Sequence, residues 1–342
     1  MSGSPKARPA DGVPRRRWSR SWPWLWLLLA LAAVAPWLGL YPVLGMRVMC
    51  FALLACAFNL LAGYGGLISF GHAAMFGGAG YIVGEALVQW HLPTPLGVLL
   101  GVGFAAGVGL VMGLVSVRRS GIYFSMITLA LAQIVYFYFL QASFTGGEDG
   151  LQGIPRGALL GLSLQPDRVL YEVVLCAFAL SWWFMRRINR SPFGQILRAA
   201  RENEPRLVSL GYHAARYKLG VFVLSAAFAG LAGALKALVM GFETLDDVHW
   251  ATSGLVILMT LVGGLGTDLG PVLGALIITV LEDKIGLISR SLVHLTGIAW
   301  FAHLSDSVGT VIGGIFVLCV LLFRRGIIGE IAARLAPRRA TD

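Results

Sequence analysis

Charged residues are scarce in this sequence. They make up 13% of the 342 residues, whereas 57% of the residues are apolar. A soluble protein of ordinary composition carries about a quarter charged residues. Several apolar runs also exceed the ~18 residues that are needed to cross a bilayer. The scarcity of charge therefore excludes an ordinary soluble domain and predicts a protein that crosses the membrane many times.

Motifs for nucleotide, metal or covalent chemistry are missing as well. The sequence contains no Gly-Lys dipeptide, and therefore no GxxxxGK[ST] loop that would hold nucleotide phosphates. Its four cysteines fall in predicted spans without metal-ligand spacing, and its six histidines are scattered without an HExxH motif. These absences argue against an ATPase and against a membrane-embedded enzyme. We expect no catalytic residue, no metal and no cofactor bound by this chain.

The basic residues that remain report the orientation in the membrane. The formal net charge is +10, with 27 basic residues of which only four are lysines. If the N-terminus is cytoplasmic, 21 of the 27 fall on the cytoplasmic side, as the positive-inside rule requires. The positive charge is therefore explained without nucleic acid. We expect a multi-pass protein of a bacterial inner membrane with both termini in the cytoplasm.

Apolar runs of about 20 residues predict the spans. They lie near 24–42, 44–62, 71–90, 95–117, 121–140, 169–187, 217–240, 250–264, 268–285 and 307–323. The runs near 250–264 and 268–285 are short and joined by GGLGTDLG, so a re-entrant hairpin is the alternative for this pair. We predict an all-α polytopic membrane protein with about 10 transmembrane helices, or 8 plus a re-entrant hairpin, in two inverted repeats.

The domain prediction has three parts. Residues 1–22 form a basic cytoplasmic tail, predicted to be disordered, and residues 327–342 form a cytoplasmic C-terminal tail. Residues 23–326 form the transmembrane domain, which includes a cytoplasmic loop at 188–217. A cleaved signal peptide is the competing interpretation of the N-terminal region. We favour an uncleaved first span, because its apolar run continues past Pro36 without a clear small-residue cleavage site.

Two Gly-rich interruptions, NLLAGYGGLISFGHAAMFGGAGY and LVGGLGTDLGPVLGA, indicate where a translocation pathway lies. Irregular backbone at membrane depth must face protein or a wet cavity, although glycines also let helices pack closely. The candidate pathway residues are the polar ones near the first interruption and on a neighbouring span, namely Asn59, Ser69, His72, Thr128 and Gln133. Interhelical hydrogen bonding is the alternative role for each. Acidic residues fall near predicted span ends, which argues against proton or sodium coupling: Glu85, Glu172, Glu282 and Asp283.

The stretch SPFGQILRAARENEPRLVSLGYHAARYKLG, in the predicted cytoplasmic loop, is unusually charged. An apolar stripe at Phe193, Ile196, Leu197 and Ala200 predicts one short helix. Asn203 is a plausible N-cap for a second helix that ends at Gly211. A basic amphipathic helix often lies on anionic lipid. The acidic residues and the short capped helix instead favour a rigid element that fits a protein groove.

Several segments resemble the permeases of branched-chain amino-acid ABC transporters, in particular the larger, M-type subunit. They are the loop just described with the span after it, GYGGLISFGHAAMFGGAGY, SGIYFSMITLALAQ, TGGEDGLQGIP, GFETLDDVHWATSG, LVGGLGTDLGPVLGA and LLFRRGIIGE. The segments are in order and cover roughly 44–330. One departure is Leu255, where the resemblance leads us to expect an acidic residue, and it leaves the solute open.

The resemblance implies an importer with several subunits. We expect a second related permease, two cytoplasmic ATPases that bind ATP and Mg, and a periplasmic solute-binding protein. The loop would transmit ATPase movement through Glu202, Asn203, Glu204, Arg206, Leu207, Leu210 and Gly211. Acidic residues on the opposite side would meet the binding protein: Glu148, Asp149, Glu243, Asp246 and Asp247. TGGEDG lacks the alternating ligand spacing of a calcium loop, and an ordinary solvated loop remains the alternative.

Two functions remain in competition. The first is a permease subunit that moves branched-chain or other amino acids into the cytoplasm with energy from partner ATPases. The alternative is a stand-alone secondary carrier or channel for a small polar solute such as urea or an amide. The carrier gives no role to the short helix between Asn203 and Gly211.

Overall fold

The computed structural model describes residues 41–159 and 161–296, with side chains to residue 284, together with residues 313, 314, 317, 326–328 and 330. The predicted tail at 1–22 lies outside the described residues, as does nearly all of the first predicted span. The predicted span at 307–323 and the tail at 327–342 fall almost wholly outside them. What the structure does describe is predominantly helical, with 79% helix and very little strand, which confirms the predicted all-α fold class.

Eleven α-helices occur between residues 41 and 296. They are α1 (Pro42–Asn59), α2 (His72–Val88), α3 (Thr94–Ser116), α4 (Ile122–Gln141), α5 (Asp167–Arg190), α6 (Pro192–Glu202), α7 (Glu204–Ser209), α8 (Ala214–Met240), α9 (Leu245–Val248), α10 (Trp250–Gly263) and α11 (Gly270–Thr296). A π-helical turn, Leu60–Tyr64, extends α1. Five of these segments are long and apolar enough to cross a membrane: α1 with its π-turn, α3, α4, α5 and α8. The chain is therefore a multi-pass membrane protein.

Helices α1, α2 and α8 form the centre of the bundle. Both α1 and α8 are largely buried, whereas most apolar residues of α3, α4 and α5 are exposed or only partly buried. Helix α8 packs against α1, α2 and α3, and α11 packs against α1 and α10. Small residues permit this close approach, since Gly109 of α3 faces Ala226 of α8 and Gly230 of α8 faces Ala105 of α3. The outer apolar faces are those that lipid or another subunit would cover.

Short strands close one end of the bundle. Strand β1 (Leu151–Gln152) pairs antiparallel with β4 (Phe242–Glu243), which follows α8. Strand β2 (Ala158–Leu159) pairs with β3 (Leu162–Ser163). We call this the strand end of the bundle. The opposite end carries α6 and α7, and we call it the loop end.

The predicted span near 268–285 is too short. Helix α11 continues to Thr296, because the charged group Glu282, Asp283 and Lys284 lies within the helix and does not end it. Glu282 is therefore near the middle of α11, not at a span end as expected, and its carboxylate lies 3.5 Å from the Arg47 guanidinium. Helix α10 has 14 residues, which is about 21 Å of helix and less than a full bilayer core. The number of membrane crossings stays a prediction.

The two Gly-rich interruptions lie toward the same end of the bundle. Residues 65–71 connect the π-turn to α2, and residues 264–269 connect α10 to α11. We call them the first and second connections. Both lie toward the loop end, where the π-turn that precedes the first connection contacts the second connection through the hydrogen bond from Tyr64 to Asp268. An inverted repeat places corresponding connections at opposite ends. The inverted arrangement therefore stays a prediction that these two segments do not support.

Candidate functional site

The predicted cytoplasmic loop folds into two capped helices. Ser191 caps α6 by accepting a hydrogen bond from the Gly194 amide, and Asn203 caps α7 by accepting one from the Arg206 amide at 3.0 Å. Each helix has a proline in its first turn, where the missing amide hydrogen costs nothing. The predicted N-cap at Asn203 is confirmed. Gly211 follows α7 with φ +88°, a conformation that glycine adopts readily.

A small hydrophobic core stabilises this pair of helices. Leu207 of α7 is only 4% exposed and packs with Ala200 of α6 and Ala214 of α8, with Ile196 beside them. The apolar stripe predicted on α6 is therefore turned inward. The Leu207 side chain therefore does not lie on the surface that a partner would meet, and its role in ATPase coupling stays a prediction. Sequence spacing alone does not show that Leu207 is buried whereas its neighbour Val208 is exposed.

The outer surface of α7 is apolar at its tip. Val208, Leu210 and Tyr212 are 55%, 68% and 43% exposed, respectively. Glu202, Arg206 and Gly211 are exposed around them. Glu204 instead turns back toward α8, where its carboxylate accepts from Lys218 Nζ at 2.6 Å. The tip is thus a preformed surface, tethered to the bundle through this pair.

The second connection is joined to α1 by Asn59, one of the predicted pathway residues. Its side-chain nitrogen donates to the Thr267 carbonyl oxygen at 2.9 Å, and its side-chain oxygen accepts from the Gly266 amide at 2.8 Å. Asn59 is buried at the end of α1. One amide therefore satisfies two backbone groups of the second connection. The sequence singled out Asn59 as a candidate pathway residue but did not reveal these partners.

Asp268 adds a second link, which the sequence analysis missed. Its carboxylate accepts from the Tyr64 hydroxyl at 2.8 Å and lies 3.5 Å from Arg186 Nε. Its backbone oxygen accepts from Trp182 Nε1 at 3.0 Å. The second connection is thereby fixed to the π-turn and to the end of α5. The signal that could have identified Asp268 in the sequence is its position as an acidic residue within a Gly-rich segment.

The other candidate pathway residues bond to neighbouring elements. His72 Nε2 lies 2.8 Å from Ser225 Oγ, and Ser225 donates to the Ala57 carbonyl, so α2, α8 and α1 meet at one point. Thr128 accepts from the Phe70 amide at 3.2 Å. Ser69 accepts from the Gly71 amide at 3.1 Å.

Gln133 is partly buried on α4 and forms no hydrogen bond within the described chain. The other four predicted residues form separate hydrogen bonds, between elements or within one segment. This arrangement favours the alternative role, hydrogen bonding between and within elements, for these four. A role in the pathway stays a prediction.

The predicted acidic surface at the strand end is divided between exposed and buried residues. Glu148, Asp149 and Asp246 are exposed at the surface. Glu243 is fully buried, because it pairs with Lys236 at 3.2 Å inside the bundle. Asp247 also binds Lys236 and closes a capping box with Thr244. Glu243 therefore does not belong to an exposed docking surface, contrary to expectation.

Burial changes the proton affinity of Glu243. The loss of water around its carboxylate raises its pKa well above the ordinary value of 4.5, and the charge of Asp247 acts in the same direction, whereas Lys236 opposes both. The group thus places one cation beside two carboxylates. Its ammonium ion occupies the position between the carboxylates, and the described residues contain no group of three or more His, Cys, Asp or Glu side chains that could hold a metal ion.

Both a family model and individual known proteins match this chain. A family model described as "Branched-chain amino acid transport system / permease component" matches residues 43–323. The high-affinity branched-chain amino acid transport system permease protein LivM of Escherichia coli (strain K12) is 30% identical over 261 residues, and that of Salmonella typhimurium is 29% identical over 265. Each match covers 69% of this chain and 61% of the relative's length.

A more distant relative matches a smaller part of the chain. The probable branched-chain amino acid transport permease protein LivM of Methanocaldococcus jannaschii is 25% identical over 166 residues, covering 46% of each chain. No solved structure matches significantly. The similarity to the two bacterial relatives thus extends over about three fifths of their length.

Proposed function

Because the chain belongs to the family of permease components of branched-chain amino acid transport systems, we propose that it is the membrane-spanning permease subunit of a binding-protein-dependent ABC importer. It moves branched-chain or other amino acids into the cytoplasm. ATP and Mg bind to partner ATPases, since this chain has no phosphate-binding loop. The names of the curated relatives support the solute class.

The observation that carries this proposal is the exposed tip of α7. An isolated helix of six residues is unstable in water, yet α7 is held by the Asn203 cap, the Leu207 packing and the Glu204 pair with Lys218. Such a rigid element with an apolar outer surface is suited to a groove in another protein. A carrier that works alone has no use for it.

The charges support the orientation. The loop end carries many basic residues of the chain, among them Arg186, Arg187, Arg190, Arg198 and Arg201. Under the positive-inside rule this end faces the cytoplasm of a bacterial inner membrane, and both termini lie on that side. The ATPases then meet α7. The strand end faces the periplasm.

The remaining partners are assigned to the other surfaces. A solute-binding protein docks at the strand end, where Glu148, Asp149 and Asp246 lie at the surface. A second, related permease covers part of the exposed apolar surface of α3, α4 and α5, and lipid covers the rest. Large exposed apolar surfaces on a membrane protein require one or the other.

The test is co-purification of this chain with candidate partner ATPases in mild detergent, followed by reconstitution with a candidate binding protein. We expect capture of two ATPases and ATP-dependent uptake of amino acids. The variant Leu210→Asp places a charge on the exposed tip and should reduce ATPase capture. Its matched control is Leu162→Asp, because Leu162 is similarly exposed at the strand end.

Two outcomes would contradict the proposal. Uptake by this chain alone in liposomes, without ATP, would identify a carrier or channel. Equal ATPase capture by Leu210→Asp and by the unaltered chain would remove α7 from the contact.

A further inference from the structure

Helix α6 is bound to the π-turn at the end of α1 through Arg201. The Arg201 guanidinium donates to the Gly63 carbonyl oxygen, which belongs to the π-turn Leu60–Tyr64. The last carbonyls of a helix have no intrahelical donors, and they carry the negative end of the helix dipole. A guanidinium satisfies both requirements. Arg201 thus holds the loop to the first half of the bundle, although the two residues are 138 positions apart.

Two further contacts join α6 to the same part of the chain. The aliphatic part of Arg201 lies against Gly66, where an added Cβ would approach Arg201 Cγ to 2.8 Å, and Gly66 has φ +71°. Arg198 lies one helical turn earlier, with its guanidinium carbon 5.0 Å from the centre of the Tyr64 ring. Residues three apart on a helix face the same side. Both arginines of α6 therefore contact the π-turn, and Arg201 also contacts the connection after it.

The π-turn and the end of α1 are in turn bound to the second connection. Tyr64, beneath Arg198, donates to Asp268, and Asn59 binds Gly266 and Thr267. A displacement of α6 that pulls on Gly63 would therefore reach both connections. At the point where Arg201 and Asn59 meet the backbone, Gly63 lies against Gly266, since a Cβ on Gly63 would be 2.8 Å from the Gly266 amide nitrogen.

We propose that Arg201 is the positioning residue that converts movement of the α6–α7 loop into movement of the two connections, which together close the loop end of the pathway. This inference rests on the proposed function, because the ATPases supply the movement. Arg201 itself touches neither ATP nor solute. It acts through the Gly63 carbonyl, so its loss should separate ATP hydrolysis from solute uptake.

The experiment compares Arg201→Gln with Arg201→Lys in the complete reconstituted importer. Glutamine keeps part of the aliphatic packing on Gly66 but removes the charge, whereas lysine keeps a charged donor. Because hydrogen bonds to charged groups are the strong ones, we expect Arg201→Gln to lower uptake per ATP hydrolysed about tenfold. Arg201→Lys should retain at least about a third of it, since lysine is a single-point donor. Arg216→Gln is the matched control, since Arg216 is exposed at the start of α8.

The outcomes separate this inference from the proposed function. Normal capture of the ATPases, with hydrolysis retained and uptake lost only in Arg201→Gln, supports the inference. Equal uptake per ATP in the glutamine and lysine variants overturns it, whether both are normal or both are reduced. If the unaltered chain captures no ATPase, the proposed function itself fails, and this result is seen before any variant is compared.

Discussion

Asn59 binds Thr267 across 208 positions of sequence, with its side-chain nitrogen 2.9 Å from the Thr267 carbonyl oxygen. The same side chain accepts from the Gly266 amide. Both partners belong to the connection between α10 and α11, whose backbone cannot satisfy itself by continuing a helix. One amide with a donor and an acceptor is therefore the residue type that this junction requires.

Replacing Asn59 with alanine should destabilise the protein. The change leaves a buried carbonyl and a partly buried amide without partners, and each such group costs about 1–3 kcal/mol. We expect a lower melting temperature in detergent, measured by tryptophan fluorescence. Gln133→Ala is the control, because Gln133 forms no hydrogen bond within the described chain. Equal melting temperatures for the two variants would argue against a stabilising role of the two Asn59 hydrogen bonds.

Close helix packing predicts opposite effects for two glycines on α3. At Gly109 an added Cβ would overlap the Cβ of Ala226, whereas at Gly107 it would meet nothing within 4 Å. Overpacking costs about 1–3 kcal/mol, so Gly109→Ala should lower thermal stability. Gly107→Ala should leave it unchanged or raise it by about 0.5–1 kcal/mol, the helix-propensity difference. Similar losses in both variants would exclude close contact as the cause.

The sequence predicted the helices well, because long apolar runs and caps are local signals. The predicted spans near 44–62, 95–117, 121–140, 169–187 and 217–240 correspond to α1, α3, α4, α5 and α8 within a few residues. The cap at Asn203 was predicted from residue type alone. Helix α11 was predicted too short, because charges that end an apolar run do not end a helix.

The contacts between distant segments could not be predicted from these patterns. Asp268 and Arg201 each act on a residue more than 130 positions away, and neither belongs to a motif of fixed spacing. The burial of Leu207 and Glu243 could not be read from the sequence either, because each stands close to an exposed residue of similar type, Val208 and Asp246 respectively. Local pattern reports which face is apolar, but tertiary packing decides which apolar residue remains available.

Glu243 predicts a dependence of stability on pH. Its carboxylate is buried, and its pKa is raised above the ordinary value of 4.5, first by loss of water and then by Asp247, with Lys236 opposing. A raised pKa in the folded state stabilises the fold fully below the ordinary pKa, and that contribution is lost as the pH rises through the raised value. Stability from this group should therefore fall from about pH 4.5 upward.

The comparison that isolates Glu243 is with Glu243→Gln, which is neutral at every pH. Melting temperatures measured between about pH 5 and pH 8 should fall more steeply for the unaltered protein than for this variant. Asp246→Asn is the control, because Asp246 is exposed beside the same group. Parallel curves for the unaltered protein and Glu243→Gln would contradict a raised pKa.

The ion pair between Glu204 and Lys218 predicts a rescue. The two groups are 2.6 Å apart, and the Lys218 side chain is only 6% exposed. Glu204→Lys should reduce uptake and stability, because it puts two cations together at the base of α7, one of them nearly buried. The double variant Glu204→Lys with Lys218→Glu restores opposite charges. We expect it to recover much of both properties.

This rescue separates two roles that the sequence could not distinguish. If Glu204 mainly tethers α7 to α8, the exchanged pair restores the tether, and ATPase capture returns with it. If Glu204 instead contacts the ATPase, the double variant still presents the wrong charge to the partner, so stability returns while capture stays low. Arg206→Glu is the matched change on the exposed side of the same helix. Arg206 forms no ion pair within the described chain. A loss of ATPase capture in Arg206→Glu therefore reports on the partner surface alone.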